Sequence, residues 1–415
     1  MRILVLNQAF YPDVVSTAQH AADLAAGLTD AGHSVTAVAS RRAYDSPSQL
    51  FAARESWHNV TILRVPSTAL GKSALWRRAV DFASFLLACI FRLALLPRFD
   101  VVIAMTSPPL IGVLAALFVR IKGGALVSWI MDLNPDEAVA AGALRGNSLV
   151  AGGLSRLLSF SLSASPGVVV MDRFMRDRVL SKGVPATRVS ILPPWAHSPV
   201  VRYDADGRDR FRGVYGLTGK FVVMYSGNHS PCHPLDTILQ AALAMRAETD
   251  VAFVFIGGGS EFKKLVEFAE RHALRNIRYL PYQPLETLAD SLSAADMHLV
   301  VMGEPFVGIV HPCKIYNALA VGSPCLYIGP LASHVTELAA SVSSDSIWCA
   351  GHGDVAGVAA HIRKAAALGP RRSAANANLA ARFAPASLLP RMISVIENVG
   401  RVADESVPDA DAVLS

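Results

Sequence analysis

The sequence predicts an α/β protein of two domains, each built on a doubly wound parallel sheet. Three observations carry this. A chain of 415 residues is long for one core, and chains of this size divide into domains of roughly 100–200 residues. Short continuous apolar runs alternate with stretches of helical spacing, as parallel strands buried on both faces do between crossover helices. The alternation stops once, at a polar segment, and then restarts.

In the first half the spacing predicts strands at Arg2–Leu6, Ser34–Ser40, Val60–Val65, Asp100–Met105, Ala125–Met131, Gly167–Met171 and Val189–Leu192. Helical spacing runs from Thr17 to Asp30, with Ser16 or Thr17 as its cap and Gly32 as its stop. Residues Val200–Lys220, rich in Arg, Asp and Gly, read as a linker carrying a short helix. Beyond it, strands are expected at Phe221–Tyr225, Ala252–Ile256, Ile277–Leu280, Met297–Val301 and Cys325–Ile328, with helices such as Pro234–Arg246 and Ser260–His272 between them. The expected organisation is a first domain over 1–200, a linker over 201–220, a second domain over 221–383, and a helix and tail over 384–415 that pack back on the first domain. The last dozen residues are polar and expected to fray.

Composition narrows the function. Hydrophobic residues are 52% and charged residues 17%, which suits a core-rich protein and excludes a disordered one. A net charge of +5 fits a membrane surface or an anionic small molecule. With no basic run interleaved with aromatics, no nucleic-acid partner is expected. The five cysteines show neither a CxxC pair nor zinc spacing, so a reduced cytoplasmic setting fits them. The opening MRILVLNQAFYP reads as a buried strand and loop, not as a signal peptide.

Ala79–Leu96 is a strongly apolar helix preceded by Trp76, Arg77 and Arg78. That flank suits a membrane interface, while the plainer reading is a core helix of a large domain. Asp81 and Arg92 would be expensive in lipid, which disfavours a spanning helix. The expected location is therefore cytoplasmic, peripheral at the inner face of the membrane.

The segment Pro305–Gly329, PFVGIVHPCKIYNALAVGSPCLYIG, reads as loop, helix, turn and buried strand. Pro312 fits the first helical position, and Lys314 then falls in the first turn. A cation there opposes the helix dipole unless an anion lies between them, and helix starts suit phosphate. Three further loops also follow a strand and precede a helix: Ser226–His233, Gly257–Ser260 and Pro281–Pro284. Open α/β sheets bind ligands outside the carboxyl ends of their strands, so four such loops favour a nucleotide-type ligand. His229 and His233 are candidate donors to its phosphates. No G-x-G-x-x-G follows the first strand and no Walker A lysine is present, which disfavours NAD and ATP hydrolysis.

Asp132 and Asp136, in DLNPD at a strand end, are candidates for base work or acceptor orientation; the plainer reading has Asp132 capping the following helix or turn. The pairs Asp204/Asp206 and Asp409/Asp411 mimic metal-binding DxD motifs but lie in linker and tail, so they read as solvated. Neither a metal nor a cofactor is expected.

At this point the residues carry a resemblance. NQAFYPDVVSTAQHAADLA, DVVIAMTSPPLIGVLAAL, SWIMDLNPDEAVAAG, SILPPWAH, YSGNHSPCHPLDTILQAA, FIGGG and HPCKIYNALAVGSP, in this order, resemble the GT-B-fold glycosyltransferases of family 4. The resemblance covers nearly the whole chain. It leans to the bacterial branch that acts on cell-surface polysaccharides and their lipid carriers. It implies two Rossmann-like domains facing a cleft, a nucleotide-diphospho-sugar donor, a lipid-linked saccharide or polysaccharide acceptor, and retention of anomeric configuration.

The resemblance implies roles by position. Gly227 and Asn228 would open the diphosphate loop, with Asn228 where many members have arginine and His233 where they have lysine. Lys314 would sit beside the diphosphate, with His311 next to it. Gly257, Gly258 and Gly259 would lie near the nucleoside, and Tyr282 and Gln283 at its base. Ser16, Thr17 and Gln19, with Asp132 and Asp136, would line the acceptor side; Asp132, Asp136 and Lys314 are the catalytic candidates. The chain departs from the pattern at Ile309 and Asn317, where many members carry two glutamates. It departs again at Met131, which replaces a histidine, and at Ser16-Thr17, which replace Gly-Gly. These departures motivate a second reading, a GT-B protein that binds a glycan or partner without catalysis.

Overall fold

The computed structural model describes residues 1–405 except 14, 45–47, 72–74, 197–200 and 343–344. His197 of the SILPPWAH segment, Asp409 and Asp411 lie outside the described residues. The chain divides into two compact units: Met1–Pro193 with Leu389–Ser415, and Pro194–Leu388.

The first unit holds strands β1 (Arg2–Leu6), β2 (Ser34–Ser40), β3 (Arg54–Trp57), β4 (Val60–Val65), β5 (Val101–Ala104), β6 (Ala125–Ile130), β7 (Gly167–Val170) and β8 (Val189–Ile191). They form one sheet in the order β3-β4-β2-β1-β5-β6-β7-β8. All pairs are parallel except β3 with β4. Every residue of β5, β6 and β7 is buried, which is why those strands are continuous apolar runs. The edge strand β3 was invisible to that rule because RESW is polar and partly exposed. Its hairpin with β4 turns through His58 and Asn59, both at positive φ (46° and 60°), as a tight type I′ connection requires.

The second unit holds β9 (Phe221–Asn228), β10 (Val251–Gly258), β11 (Ile277–Leu280), β12 (Met297–Val301), β13 (Cys325–Ile328) and β14 (Ile347–Ala350), all parallel, in the order β11-β10-β9-β12-β13-β14. In both sheets the chain first builds outward on one side and then returns to build on the other. The reversal falls between β1 and β5 in the first sheet and between β9 and β12 in the second. Such switch points are where open α/β sheets place ligands, at the carboxyl ends of the strands.

Several boundaries differ from expectation. β9 and β10 run on to Asn228 and Gly258, paired Gly257 with Gly227 and Gly258 with Asn228, so these four are strand residues and not loop. The helix Ser16–Asp30 begins after Val15, with no side-chain cap, so neither Ser16 nor Thr17 caps it. Gly32, at φ 85°, does end it. The helix Lys314–Ala320 starts two residues later than expected: Cys313 stands at its cap and Pro312 precedes it.

The apolar helix runs Leu75–Ala94 and is two-faced. Phe85, Cys89 and Leu93, four apart, are buried in the core with Leu4, Leu63 and Phe118, whereas Leu87, Ile90 and Phe91 point outward. The segment read as a linker is packed into the second unit. Its helix Ala205–Tyr215 is capped by Asp204, buries Phe211 against β9 and β10, and sends Arg208 and Arg212 to the buried Asp296. At the other end of the chain, residues from Leu389 onward belong to the first unit: His33 Nε2 lies 3.0 Å from Glu397, and Gly27 leaves room for Leu389, which a β-carbon would meet at 2.7 Å. Among the described residues one helical stretch, 374–402, is apolar and long enough to cross a membrane by length and composition alone. Within it Leu379, Leu388, Met392 and Ile396 are buried, as in a core helix.

Candidate functional site

The second unit gathers most of the expected site residues at the carboxyl edge of its sheet. Strand β9 ends in Tyr225-Ser226-Gly227-Asn228, and its following loop is tied to the loop after β12 by Gly303 N donating to Cys232 O at 2.9 Å. Those two loops flank the switch point. Lys314 enters from the second of them. Its side chain lies across Gly227, whose missing β-carbon would sit 2.6 Å from Lys314 Cε, and its Nζ is 5.0 Å from the centre of the Tyr225 ring.

Lys314 is half-buried, and among the described residues no carboxylate forms an ion pair with it. Burial lowers its pKa to about 8, against weaker opposing effects of the Cys313 and Cys232 thiols. It is therefore still mostly charged at neutral pH, in a place where the charge is costly.

The neighbouring glycines play a packing role. Gly257, at φ 134°, abuts Gly227, whose carbonyl oxygen would lie 2.1 Å from a β-carbon there. The Tyr282 ring covers Gly257 and Gly258, at 3.3 and 3.2 Å from their missing β-carbons, and is itself more than half exposed. Gly259 and Asn228 are exposed beside it, and Gln283 is turned back on the Pro281 carbonyl at 2.9 Å. An aromatic face over two glycine-lined strand ends is a flat apolar platform.

The histidines differ from expectation in three ways. His229 is fully buried, edge-on to Tyr225 at 4.7 Å and to Phe262 at 4.9 Å, with neither ring nitrogen hydrogen-bonded. Burial, and then the charge of Lys314, push its pKa down to about 4, so it is a neutral packing residue in this structure and not an exposed phosphate donor. His233 is half-buried and meets the Val301 carbonyl through Nδ1 at 2.7 Å. A carbonyl only accepts, so Nδ1 carries the proton and the neutral ring offers only a lone pair at Nε2. Burial and then Lys314 hold that ring well below the ordinary histidine range. His311 is engaged elsewhere: its Nε2 is 2.7 Å from Tyr316 Oη, which in turn is 2.9 Å from His334 Nε2. That chain of three side chains, of which His311 and Tyr316 are buried, ties the loop leading into Lys314 to the helix that begins at His334. Ile309, in the same loop, is buried.

The first unit places Asp132 and Asp136 just after β6, but in unlike surroundings. Asp136 is held by Lys182, whose Nζ lies 2.9 Å from both carboxylate oxygens. Asp132 is raised to about 7, first by burial and then by the charge of Glu137. Asp132 does not cap the helix Asp136–Ala140, which has Pro135 at its cap. Ser16 is exposed and Thr17 and Gln19 are half-buried on the first turn after β1, where His20 returns a ring nitrogen to the Ser16 carbonyl at 2.7 Å. Tyr225, Lys182, Glu137 and His20 were missed by sequence reasoning. Lys182 acts through a contact distant in sequence, Tyr225 and His20 through rings that periodicity reads as core, and Glu137 through its charge on the nearby Asp132.

Comparison with known proteins now adds the family. The Glycosyl transferase 4-like domain matches residues 17–195, nearly all of the first unit's sheet. A protein named for colanic acid biosynthesis, the glycosyl transferase WcaI of Escherichia coli (strain K12), is 25% identical over 375 residues, covering 84% of this chain and 89% of its own length. Among solved structures, sucrose-phosphate synthase from Thermosynechococcus elongatus superposes with a TM-score of 0.75 at 14% identity, covering 97% of this chain and all of its own. HepE of Anabaena in complex with UDP does so with a TM-score of 0.70 at 14% identity, covering 96% and all of its own. At that identity the structures speak for the fold. Domain match, relative and fold converge: the chain is a glycosyltransferase of the GT-B fold, and its residues 17–195 form a Glycosyl transferase 4-like domain.

Proposed function

We propose that this glycosyltransferase moves a sugar from a nucleotide-diphosphate donor to a lipid-linked saccharide or polysaccharide of the bacterial cell envelope, with retention of anomeric configuration. One observation carries the donor half: a half-buried lysine without an ion-pair partner among the described residues, laid over the end of β9 at the switch point. A donor diphosphate would supply the missing anion, and Lys314 would then stabilise the charge that develops on it as the sugar leaves. Tyr282 over Gly257 and Gly258 would take the base, and Gly227, Asn228 and the exposed Gly259 backbone would flank the phosphates. The solved UDP complex of a protein of the same fold supports a nucleotide there. His233 would join by taking a second proton once a diphosphate is bound. Asp132 is the better base candidate, because Asp136 is already neutralised by Lys182.

The acceptor half rests on the relative named for colanic acid synthesis and on the outer face of the first unit. There Phe91 is 73% exposed and Ile121 78%, on the neighbouring helices Leu75–Ala94 and Ile111–Lys122, with Arg92, Arg120 and Lys122 among them. An exposed apolar face edged by basic residues suits an anionic membrane surface. A thermal-shift screen of UDP-, GDP- and dTDP-sugars tests the donor half, since a ligand of the native state raises the melting temperature. A shift with one class, followed by turnover on envelope lipid extract, is expected. Binding without turnover would instead favour the non-catalytic reading that the buried Ile309 suggests.

A further inference from the structure

A second constellation in the first unit is not used by the donor. A pocket of about 60 Å³ opens at the carboxyl ends of β1, β2 and β4, lined in part by Gln8, Arg42, Ser67, Thr68, Arg78 and Asp81. It has room for about four to six water-sized groups, which suits a tetrahedral oxyanion better than a sugar ring. Its charge is two guanidiniums against one carboxylate, 2 − 1 = +1.

That carboxylate is already occupied. Asp81 accepts from Thr68 Oγ1 at 2.7 Å, Leu70 N at 2.9 Å and Gly71 N at 3.2 Å. Burial works to raise it, but these bonds and the charge of Arg42 outweigh that and hold it below the ordinary carboxylate value. Arg42 is anchored through Nε to the Ser67 carbonyl at 2.9 Å, which sets its guanidinium in the pocket wall. Arg78 is exposed and rests against Phe82, 5.3 Å from the ring centre.

Two further observations bear on the ligand. Gln8, in the pocket wall, has its Oε1 buried without a hydrogen-bond partner. A buried polar atom left unmade costs about 1–3 kcal/mol, and turning the amide about its last bond puts an N–H donor there for an oxyanion to meet. Arg78 and Phe82 also lie in the first two turns of Leu75–Ala94, the helix whose outward face is apolar. A ligand in the pocket thus lies beside the surface that would meet lipid.

We infer that this pocket binds the phosphate or diphosphate of the acceptor, a saccharide carried on a phosphorylated membrane anchor. Calling the ligand the acceptor rests on the function proposed above; the anion pocket does not. Arg42 and Arg78 pair with the phosphate oxygens, and the Gln8 amide, turned about its last bond, donates to them. A soluble sugar phosphate offers the same oxyanion, and the experiment separates the two sources.

The test is flotation with neutral phosphatidylcholine vesicles, with and without a long-chain polyprenyl diphosphate, using wild type, Arg78→Gln, Arg78→Lys and Arg42→Gln. The same series in a Lys314→Ala background keeps the second unit's diphosphate edge out of the reading. Polyprenyl diphosphate should raise wild-type binding, and Arg78→Gln should lose about tenfold of it, the worth of one hydrogen bond to a charged group. Arg78→Lys should keep part. On vesicles carrying phosphatidylglycerol instead, Arg78→Gln should bind as wild type does. Equal loss on both vesicles would make Arg78 a general surface charge and overturn the pocket. Displacement by glucose 1-phosphate as effective as by the lipid would overturn the membrane source. Donor binding measured on the same Arg78→Gln protein should be unchanged; its loss would mark a failure of folding or of the donor reading, which a melting curve then separates.

Discussion

Lys314 lies flat across the backbone of Gly227, so closely that a β-carbon on Gly227 would sit 2.6 Å from Lys314 Cε. The lysine's position therefore depends on the absence of a side chain from a residue 87 positions earlier, 314 − 227 in the numbering. Gly227→Ala has to move the lysine or the end of β9, at a cost of about 1–3 kcal/mol for overpacking, before any strain from its φ of 134°. Its melting temperature should fall and its KM for donor rise together. Unchanged donor KM in a folded Gly227→Ala protein would detach Lys314 from the donor.

Removing the lysine should act differently. Lys314→Met takes away a charge that folding disfavours, so the variant should melt at a higher temperature than wild type while kcat/KM falls about 10²–10³-fold, as for other single groups that stabilise developing charge. The two effects of opposite sign distinguish a functional charge from a packing residue.

The pKa of about 8 gives that charge a pH signature. A bound diphosphate favours the protonated lysine, so its pKa is higher in the complex than in the free protein. Donor affinity should then be flat below about pH 8 and fall as pH rises through 8, by up to tenfold per unit. Titration calorimetry across pH 7–9.5 reads this directly, and Lys314→Arg should move the fall beyond the measured range. For folding alone the sign is the reverse. The folded pKa lies below the unfolded one, so the lysine's penalty is relieved as pH rises from about 8 toward 10.5.

Asp132 and Asp136 should separate cleanly. Asp132 has a folded pKa near 7, raised from 3.8, so it stabilises the fold below about pH 4 and loses that contribution as pH climbs through 7. Asp132→Asn should raise the melting temperature at pH 8 while lowering kcat by about 10²–10⁴-fold, the usual range for a general base. The acid limb of the kcat profile, near pH 7, should vanish with it. Asp136→Asn breaks the Lys182 pair and should lower stability; if it lowers kcat as far as Asp132→Asn does, the assignment of roles is wrong.

The outer face of the first unit yields a fifth expectation. Phe91→Ser with Ile121→Ser changes two highly exposed side chains, so the fold should be untouched. Flotation with phosphatidylglycerol vesicles should drop by about tenfold or more, since each buried apolar side chain is worth about 1.5–3 kcal/mol. Unaltered flotation would remove this face from the membrane account.

Much of the scaffold could be read from residues alone, because strands buried on both faces must be continuous apolar runs, as in β5, β6 and β12. β3 escaped because an edge strand needs neither apolarity nor length, and β14 because four residues beside Gly351 resemble a loop. The extension of β9 and β10 into Gly227 and Gly258 escaped for a related reason: glycine reads as a strand end until its pairing partner on the neighbouring strand is known. At the site, Lys314 was marked by its awkward position in sequence. The burial of His229, the tautomer of His233 and the His311–Tyr316–His334 chain were not marked, since each is decided by a partner far along the chain.

The central claim is that Lys314 holds the diphosphate of a nucleotide-sugar donor. Calorimetric titration of UDP, GDP and dTDP into wild type and Lys314→Ala at pH 7 measures it most directly. One nucleoside diphosphate should bind the wild type and lose at least about tenfold in affinity with Lys314→Ala, the loss of one charge-assisted contact. Equal affinity for both proteins, or no binding of any nucleotide to a folded wild type, would contradict it.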